Sequence, residues 1–293
     1  TATFVRSCSS MNEQEVCSTL HGMAKMEAIW SQLSPRLRKA VIISAAGLPK
    51  IGSLCLACVI YSLGMLGARW DELPSHISDH VVLSSTTRPL KDQTLSNTLY
   101  GLSLMQAEWD SIAPELKATL IHNLAQDDAL GQDIPQHVAN ILWALGKMDA
   151  TWYQLPADNI QKALLRCVGN FKHQEAANIM YGLSIVDVPW DGLSIDVSWA
   201  LEQSIVGCVD RMTSQELANV MYALALMTFD FDYSFNSDPE VSASGKKKNK
   251  TTKADLKKTK KDGTPEKEHE YRLHCLWNIH RAVLSTFRRA DPD

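Results

Sequence analysis

The chain has 293 residues, of which 45% are hydrophobic and 21% charged, and its formal net charge is -4. This composition is typical of a soluble globular chain, and the absence of an apolar run of about 18 or more residues predicts no membrane-spanning helix. Seven cysteines at irregular spacings favour reduced thiols inside the cell over a disulfide framework. The first residues resemble neither a signal peptide nor an organellar leader, so we expect the sequence to be a fragment.

The net charge conceals a local excess of lysine. Residues 245–261 contain nine Lys and one Asp, so the rest of the chain carries a net charge of -12. We therefore expect the folded part of the molecule to be acidic.

An internal repeat dominates the sequence, and such a repeat decides the fold. Its marker is an aromatic residue or His that stands nine residues before a Trp or Phe, and it recurs about every 40 residues. The six pairs are His21/Trp30, Tyr61/Trp70, Tyr100/Trp109, Trp143/Trp152, Tyr181/Trp190 and Tyr222/Phe231.

Other positions follow the same frame. A small residue always comes directly after the first aromatic of the pair, which predicts close approach of two helix backbones. Seven residues before that aromatic, five repeats have Gln, and three residues before it four repeats have Asn. These spacings place Gln, Asn and the aromatic on one face of a helix, which we name helix A.

Helix A ends near the Trp, and a proline follows the Trp in four repeats. Proline suits the first turn of a helix, so a second helix, helix B, is predicted to begin there. The residues expected to fill the bend between helix A and helix B as structural anchors are Trp30, Trp70, Trp109, Trp152, Trp190 and Phe231.

The predicted fold is all-α, a right-handed α-solenoid of six antiparallel two-helix repeats, because neither helix can bury its apolar stripe alone. In chain order, residues 1–10 are the tail of a preceding repeat helix, and the six repeats span 11–50, 51–89, 90–132, 133–171, 172–212 and 213–293. The sixth repeat contains a predicted disordered, Lys-rich insertion at 236–268, before a helical stretch taken as its helix B. The lysine run suits a solvated loop, a phosphate contact or a nuclear import signal.

Two short patterns have metal-ligand spacing. Cys55 and Cys58 form a CxxC pair inside an apolar helix, and His76 and His80 are spaced i, i+4, but neither pair has further ligands in view. Core packing and a solvated helix face are the preferred interpretations. Since no nucleophile elbow, phosphate loop or zinc-protease motif occurs either, we predict no enzyme, no cofactor, no bound metal and no small-molecule substrate.

Two interpretations remain open for the repeated Asn. Asn97, Asn140, Asn178 and Asn219 either bind bases or form a ladder that satisfies backbone groups between stacked A helices. A base code would use polar positions that vary between repeats, and the position directly after the Gln varies in this way. The candidate RNA-binding residues are Thr94, Asn97, His137, Asn140, Glu175, Asn178, Glu216 and Asn219, with Lys117, Lys162 and Arg166 of the B helices as basic contacts.

The repeat resembles the octotricopeptide repeats of algal organelle proteins and the helical repeats beside RAP domains in FAST-kinase-like proteins. The pattern that carries the resemblance is Gln, Asn, an aromatic, a small residue, Leu and then Trp, best seen in LWALGKMDATW. The resemblance implies a scaffold that binds single-stranded RNA in a mitochondrion or chloroplast and acts in RNA processing, stability or translation. The alternative is a HEAT- or armadillo-like scaffold for protein partners, and the Lys run leaves a nuclear location open.

Overall fold

The computed structural model describes residues 10–46, 52–75, 77, 79, 82–83, 89–126, 134–167, 169, 171–227 and 265–290. Within these ranges it contains eleven α-helices, five short 3-10 helices and no strand. The all-helical class predicted from the sequence is therefore confirmed. The chain divides into two compact units, residues 1–170 and residues 171–293, which are described separately below.

Every predicted A helix is present in the described ranges. The A helices are α1 (Glu13–Lys25), α3 (Ser53–Leu66), α4 (Asp92–Leu104) and α6 (Pro135–Lys147) in the first unit, and α8 (His173–Ile185) and α10 (Ser214–Met227) in the second. The B helices are α2 (Pro35–Ala46), α5 (Pro114–Leu124) and α7 (Ala157–Arg166), followed by α9 (Ile195–Cys208) and α11 (Pro265–Ala290).

The A helices stack side by side within each unit. In the first unit α1 packs on α3, α3 on α4 and α4 on α6; in the second, α8 packs on α10. Helices α3 and α4 approach closely, because a Cβ added to Gly101 would lie 2.7 Å from the backbone of Ile60 and Tyr61. A Cβ added to Gly64 would likewise lie 2.7 Å from the Gly101 carbonyl oxygen. Glycine at both positions allows the two backbones to touch.

The Trp at the bend anchors helix A to helix B. Trp109 and Trp190 are fully buried, and Trp30 and Trp152 are nearly so, whereas Trp70 is half-buried. The backbone also links successive repeats, because the Trp70 N–H donates to the Met105 carbonyl and the Trp109 N–H to the Met148 carbonyl, at 2.9 and 2.6 Å. Each acceptor directly follows the A helix of the next repeat.

Each of the first five A helices is followed by a residue in the left-handed region, six positions after the repeat aromatic. The residues and their φ angles are Glu27 (56°), Gly67 (79°), Gln106 (58°), Asp149 (59°) and Asp187 (60°). Glycine adopts this conformation without steric strain, and it stands at only one of the five positions. In the other four repeats the sequence therefore gives no glycine to indicate the left-handed conformation at this position.

In the second unit, α11 packs against α9 and α10. The Trp190 indole N–H donates to the Arg272 carbonyl at 2.8 Å, and the Asn278 amide donates to the buried Glu202 carboxylate at 2.8 Å. These bonds join residues about 80 positions apart in sequence. Helix α11 is therefore packed on both α9 and α10 within the second unit.

Several predictions concern residues that the structure does not describe. Phe231, the His76/His80 pair and nearly all of the 1–10 tail lie outside the described residues, as do residues 236–264 of the predicted insertion. Residues 265–268 are helical, so the insertion as predicted extends four residues too far. Pro265 is the first residue of α11, a position where its missing N–H costs no hydrogen bond.

None of the helices in the described part is both long and apolar enough to cross a membrane. The longest of them, α11, has charged residues in its first two turns, at Arg281 and near its end.

Candidate nucleic-acid interface

Each A helix leaves one face uncovered. This face consists of the repeat aromatic and the positions seven before, three before and four after it, which lie within one narrow sector of a helix. We call these positions the outer stripe, and none of them is buried in any of the six A helices. In α4, for example, the outer stripe is Gln93, Asn97, Tyr100 and Leu104, while Leu95, Ser96, Thr98, Leu99, Gly101, Leu102 and Ser103 are buried.

The aromatic rings of the outer stripe touch their neighbours across the stacked helices. In the first unit the ring centroids of Tyr61 and Tyr100 are 6.0 Å apart, and those of Tyr100 and Trp143 are 5.0 Å apart. In the second unit Tyr181 and Tyr222 are 5.9 Å apart. These distances are typical of favourable aromatic pairs. Each unit therefore presents a row of partly exposed rings.

Three of the four Asn side chains beside this row have no hydrogen-bond partner among the described residues. Asn97, Asn140 and Asn178 are each half-buried one turn before a ring, and among the described residues their side chains make no hydrogen bond. Asn219 accepts one bond, from Gln215 at 3.0 Å. The predicted ladder from these Asn to the backbone of neighbouring helices is therefore not formed in the described part. The donors and acceptors of Asn97, Asn140 and Asn178 are available to a ligand.

The positions after the Gln, predicted to carry a base code, are used in helix caps. The Glu15, Thr94, Glu175 and Glu216 side chains each accept a hydrogen bond from the backbone N–H three residues earlier, at 2.6–2.9 Å. This is the capping box, in which the third residue of a helix satisfies the N–H at its start. These four side chains are bound at the starts of their own helices.

His137 stands at the same position in α6, and its ring is half-buried. Burial lowers the pKa of His137, against a smaller opposing effect of Asp92, so the ring is neutral near pH 7. A neutral ring adds no charge that would attract a phosphate. Its Nδ1 atom has no hydrogen-bond partner among the described residues.

Glu216 has a second partner besides its cap. Its carboxylate lies 3.0 Å from His173 Nδ1, which connects α10 to α8. Burial would raise the pKa of Glu216, but the bonds from Thr213 and His173 outweigh burial and hold the pKa below its ordinary value. The side chain is therefore ionised and engaged at neutral pH.

The three basic candidates lie on B helices and not on the outer stripe. Lys117 of α5 pairs with Asp110 and lies 5.5 Å from the centroid of the Trp109 ring. Lys162 is exposed on α7, and Arg166 is half-buried near its end. The structure therefore does not bring Lys117, Lys162 and Arg166 together with the Asn and the rings.

The outer stripe differs in charge from the rest of the chain. Although the sequence outside the lysine run carries -12, no stripe position in any of the six A helices is Asp or Glu. Lys25 and Lys147 are the charged stripe residues, and the Lys147 ammonium lies 5.8 Å over the Trp143 ring. The residues at the stripe positions are Gln14, Ser18, His21, Lys25, Leu54, Cys58, Tyr61, Met65, Gln93, Asn97, Tyr100, Leu104, Gln136, Asn140, Trp143, Lys147, Gln174, Asn178, Tyr181, Ile185, Gln215, Asn219, Tyr222 and Leu226.

No protein-family model matches the sequence, and no characterised protein has a significant match to it. The interpretation of the stripe therefore depends on its own geometry. Among the described residues, no group of three or more His, Cys, Asp or Glu side chains is arranged to hold a metal ion.

The aromatic rings of the outer stripe are not among the RNA-binding residues predicted from the sequence. The sequence did contain a signal, because Gln, Asn and the aromatic share one polar face, and a face that supplies the core would not repeat Gln and Asn.

Proposed function

We propose that the chain is a right-handed α-solenoid of six two-helix repeats that binds single-stranded RNA along the outer stripe, as a scaffold without catalytic activity. The resemblance to octotricopeptide-type repeats favours a role in RNA processing, stability or translation in a chloroplast or mitochondrion. The repeated aromatic frame and the stacking of A helices within each unit support the solenoid.

One observation carries the binding proposal: the side chains that recur between repeats lie on an exposed face. Packing specifies buried positions, whereas an exposed helix face tolerates most polar residues. Asn recurs at the second stripe position in four helices and an aromatic at the third in five, yet neither position is buried. A ligand whose own structure repeats at regular intervals would require the same side chains in each helix. A nucleic acid strand has such a repeating structure.

The chemistry of the stripe suits unpaired bases. Aromatic side chains provide platforms on which bases stack, and amides bind the hydrogen-bonding edges of bases. Neighbouring ring centroids are 5.0–6.0 Å apart and the rings already contact one another, so no base fits between two of them. Bases would therefore lie on the exposed parts of the rings, with the Asn one turn away at their edges.

The charge of the stripe also suits a phosphate backbone. A carboxylate near the strand would repel phosphates, and no stripe position has one. With Lys25 and Lys147 as the charged stripe residues, we expect only a shallow dependence of affinity on salt, since its slope is roughly -0.7 for each neutralised phosphate on a single strand. Stacking and amide contacts would supply most of the affinity.

Replacing two adjacent rings tests this function. We expect Tyr100→Ala and Trp143→Ala each to weaken binding of a mixed-sequence single-stranded RNA roughly 5- to 150-fold, because stacking contributes roughly 1–3 kcal/mol per base. The dissociation constants would be measured by fluorescence anisotropy with the complete chain, and circular dichroism would show that each variant remains folded.

Tyr153→Ala is the matched control. Tyr153 is an aromatic side chain with 84% exposure, but it lies in the bend between α6 and α7 and not on the stripe. Its replacement should leave RNA affinity unchanged. If all three variants bind RNA as tightly as the wild-type chain does, or if the wild-type chain binds no RNA, the proposal is wrong. A protein partner then becomes the preferred ligand of the stripe.

A further inference from the structure

Two cysteines meet where α1 packs on α3. Cys17 of α1 is buried at 7% exposure, and its Sγ lies 3.0 Å from the Cys55 carbonyl oxygen. Cys58 follows Cys55 by one helical turn along α3, on the same side of the helix, and the Cys17 and Cys58 thiols shift each other's pKa. The two sulfur atoms are therefore neighbours across a helix interface, although 41 positions separate them in sequence.

The two thiols have different surroundings. Cys58 occupies the outer-stripe position that is Asn in four other repeats, and it is half-exposed, with its Sγ 4.0 Å from the Ser62 hydroxyl. The Cys17 hydrogen bond lowers the pKa of Cys58 to about 6, assisted by Ser62 and His21 and opposed by burial. The same contact, together with burial, raises the pKa of Cys17. Cys58 is therefore the nucleophile, whereas the buried Cys17 thiol stays protonated.

We propose that Cys17 and Cys58 form a peroxide-sensitive thiol pair that is oxidised to an intramolecular disulfide joining α1 to α3. This modification site does not depend on RNA binding. The accessible Cys58 is attacked first, and the buried Cys17 lies close enough to complete the bond.

The reaction balances with hydrogen peroxide as the oxidant. The Cys58 thiolate attacks one peroxide oxygen, the O–O bond breaks, and the departing oxygen takes up a proton and leaves as water, which gives a sulfenic acid. The Cys17 sulfur then attacks the Cys58 sulfur, the S–O bond breaks, and the Cys17 proton leaves with the hydroxyl as a second water. Two thiols and one peroxide become one disulfide and two waters.

Other cysteines in the described part lack this combination. Cys167, Cys208 and Cys275 are buried. Burial raises the pKa of Cys208 to about 11, and burial with the nearby Glu202 raises that of Cys275. A buried, protonated thiol reacts slowly. Cys55 is half-buried beside the pair and so provides a neighbouring control.

The test treats the complete chain with stoichiometric hydrogen peroxide at pH 7 and maps disulfides by mass spectrometry after digestion without reductant. We expect a Cys17–Cys58 link as the main product and its retention in Cys55→Ala. In Cys17→Ala the link is lost, and Cys58 accumulates as a sulfenic acid that dimedone labels. Dominant links between other cysteines, or peroxide oxidation of Cys58 in the wild-type chain without the link, would overturn the proposal.

Alkylation supplies a second readout that needs no variant. Between pH 6 and pH 8 the thiolate fraction rises only about 2-fold for a thiol with a pKa of about 6, but roughly 80-fold for one near 8.5. The rate at which iodoacetamide modifies Cys58 should therefore rise only about 2-fold between pH 6 and pH 8. A rise of tens of fold at Cys58 would contradict its assignment as the nucleophile.

Discussion

Replacement of Trp109 by Ala is expected to lower the free energy of unfolding by about 3–5 kcal/mol, the range found when a buried Trp or Phe is truncated. Trp109 is fully buried at the bend between α4 and α5, and Lys117 covers its ring. The cavity would separate helix A from helix B and weaken the packing of α4 on α6. Urea denaturation followed by circular dichroism at 222 nm would measure the loss.

Trp70 is the matched control because it occupies the same position of the preceding repeat but is half-buried. Trp70→Ala should therefore destabilise the chain by clearly less than Trp109→Ala. Trp109→Phe should also be milder, since it keeps a ring and removes an indole N–H that has no hydrogen-bond partner among the described residues. Equal losses for the Trp70 and Trp109 truncations would contradict the burial argument.

Gly101→Ala is expected to destabilise the chain by about 1–3 kcal/mol, although alanine is the better helix former. The new methyl group would lie 2.7 Å from the Ile60 carbonyl group and the Tyr61 nitrogen. These are backbone atoms, which cannot rotate away as a flexible side chain would. Helix α4 would have to move away from α3, and the tight contact at Gly64 would be lost with it.

The same substitution should stabilise the chain at Gly22, which stands at the equivalent position of the first repeat. A Cβ there has no heavy atom within 4 Å, so Gly22→Ala should raise the free energy of unfolding by up to about 1 kcal/mol through helix propensity alone. Thermal denaturation of the two variants would compare them directly. A stabilising Gly101→Ala would show that α3 and α4 are not in backbone contact.

The helical class and the bends follow from the sequence because they depend on local chemistry. Pro35 and Pro114 begin B helices, as their fixed φ and missing N–H predict. Trp30, Trp109, Trp152 and Trp190 are buried beside these bends, since large apolar side chains recurring at one offset must fill the same cavity in each repeat. The half-burial of Trp70 could not be predicted, because it depends on how its particular neighbours cover it.

The site was harder to predict, because exposure depends on tertiary packing. Asn97 and Thr94 are both polar and lie three residues apart, but one faces outward without a partner and the other caps its helix. The capping function had a sequence signature, since Asn12 with Glu15 and Thr213 with Glu216 fit the capping box. Likewise Gly22 and Gly101 are indistinguishable by repeat position, and only the spacing of adjacent helices separates an open site from a backbone contact.

Ultraviolet crosslinking of the complete chain to single-stranded RNA, followed by mass spectrometry of the linked peptides, tests the central claim most directly. The rings and amides of the outer stripe are proposed to contact bases, so crosslinks should concentrate in α3, α4, α6, α8 and α10, at Tyr61, Tyr100, Trp143, Tyr181 and Tyr222. Crosslinks confined to the lysine-rich segment 245–261 or to the B helices would contradict the assignment of the outer stripe as the RNA-binding face.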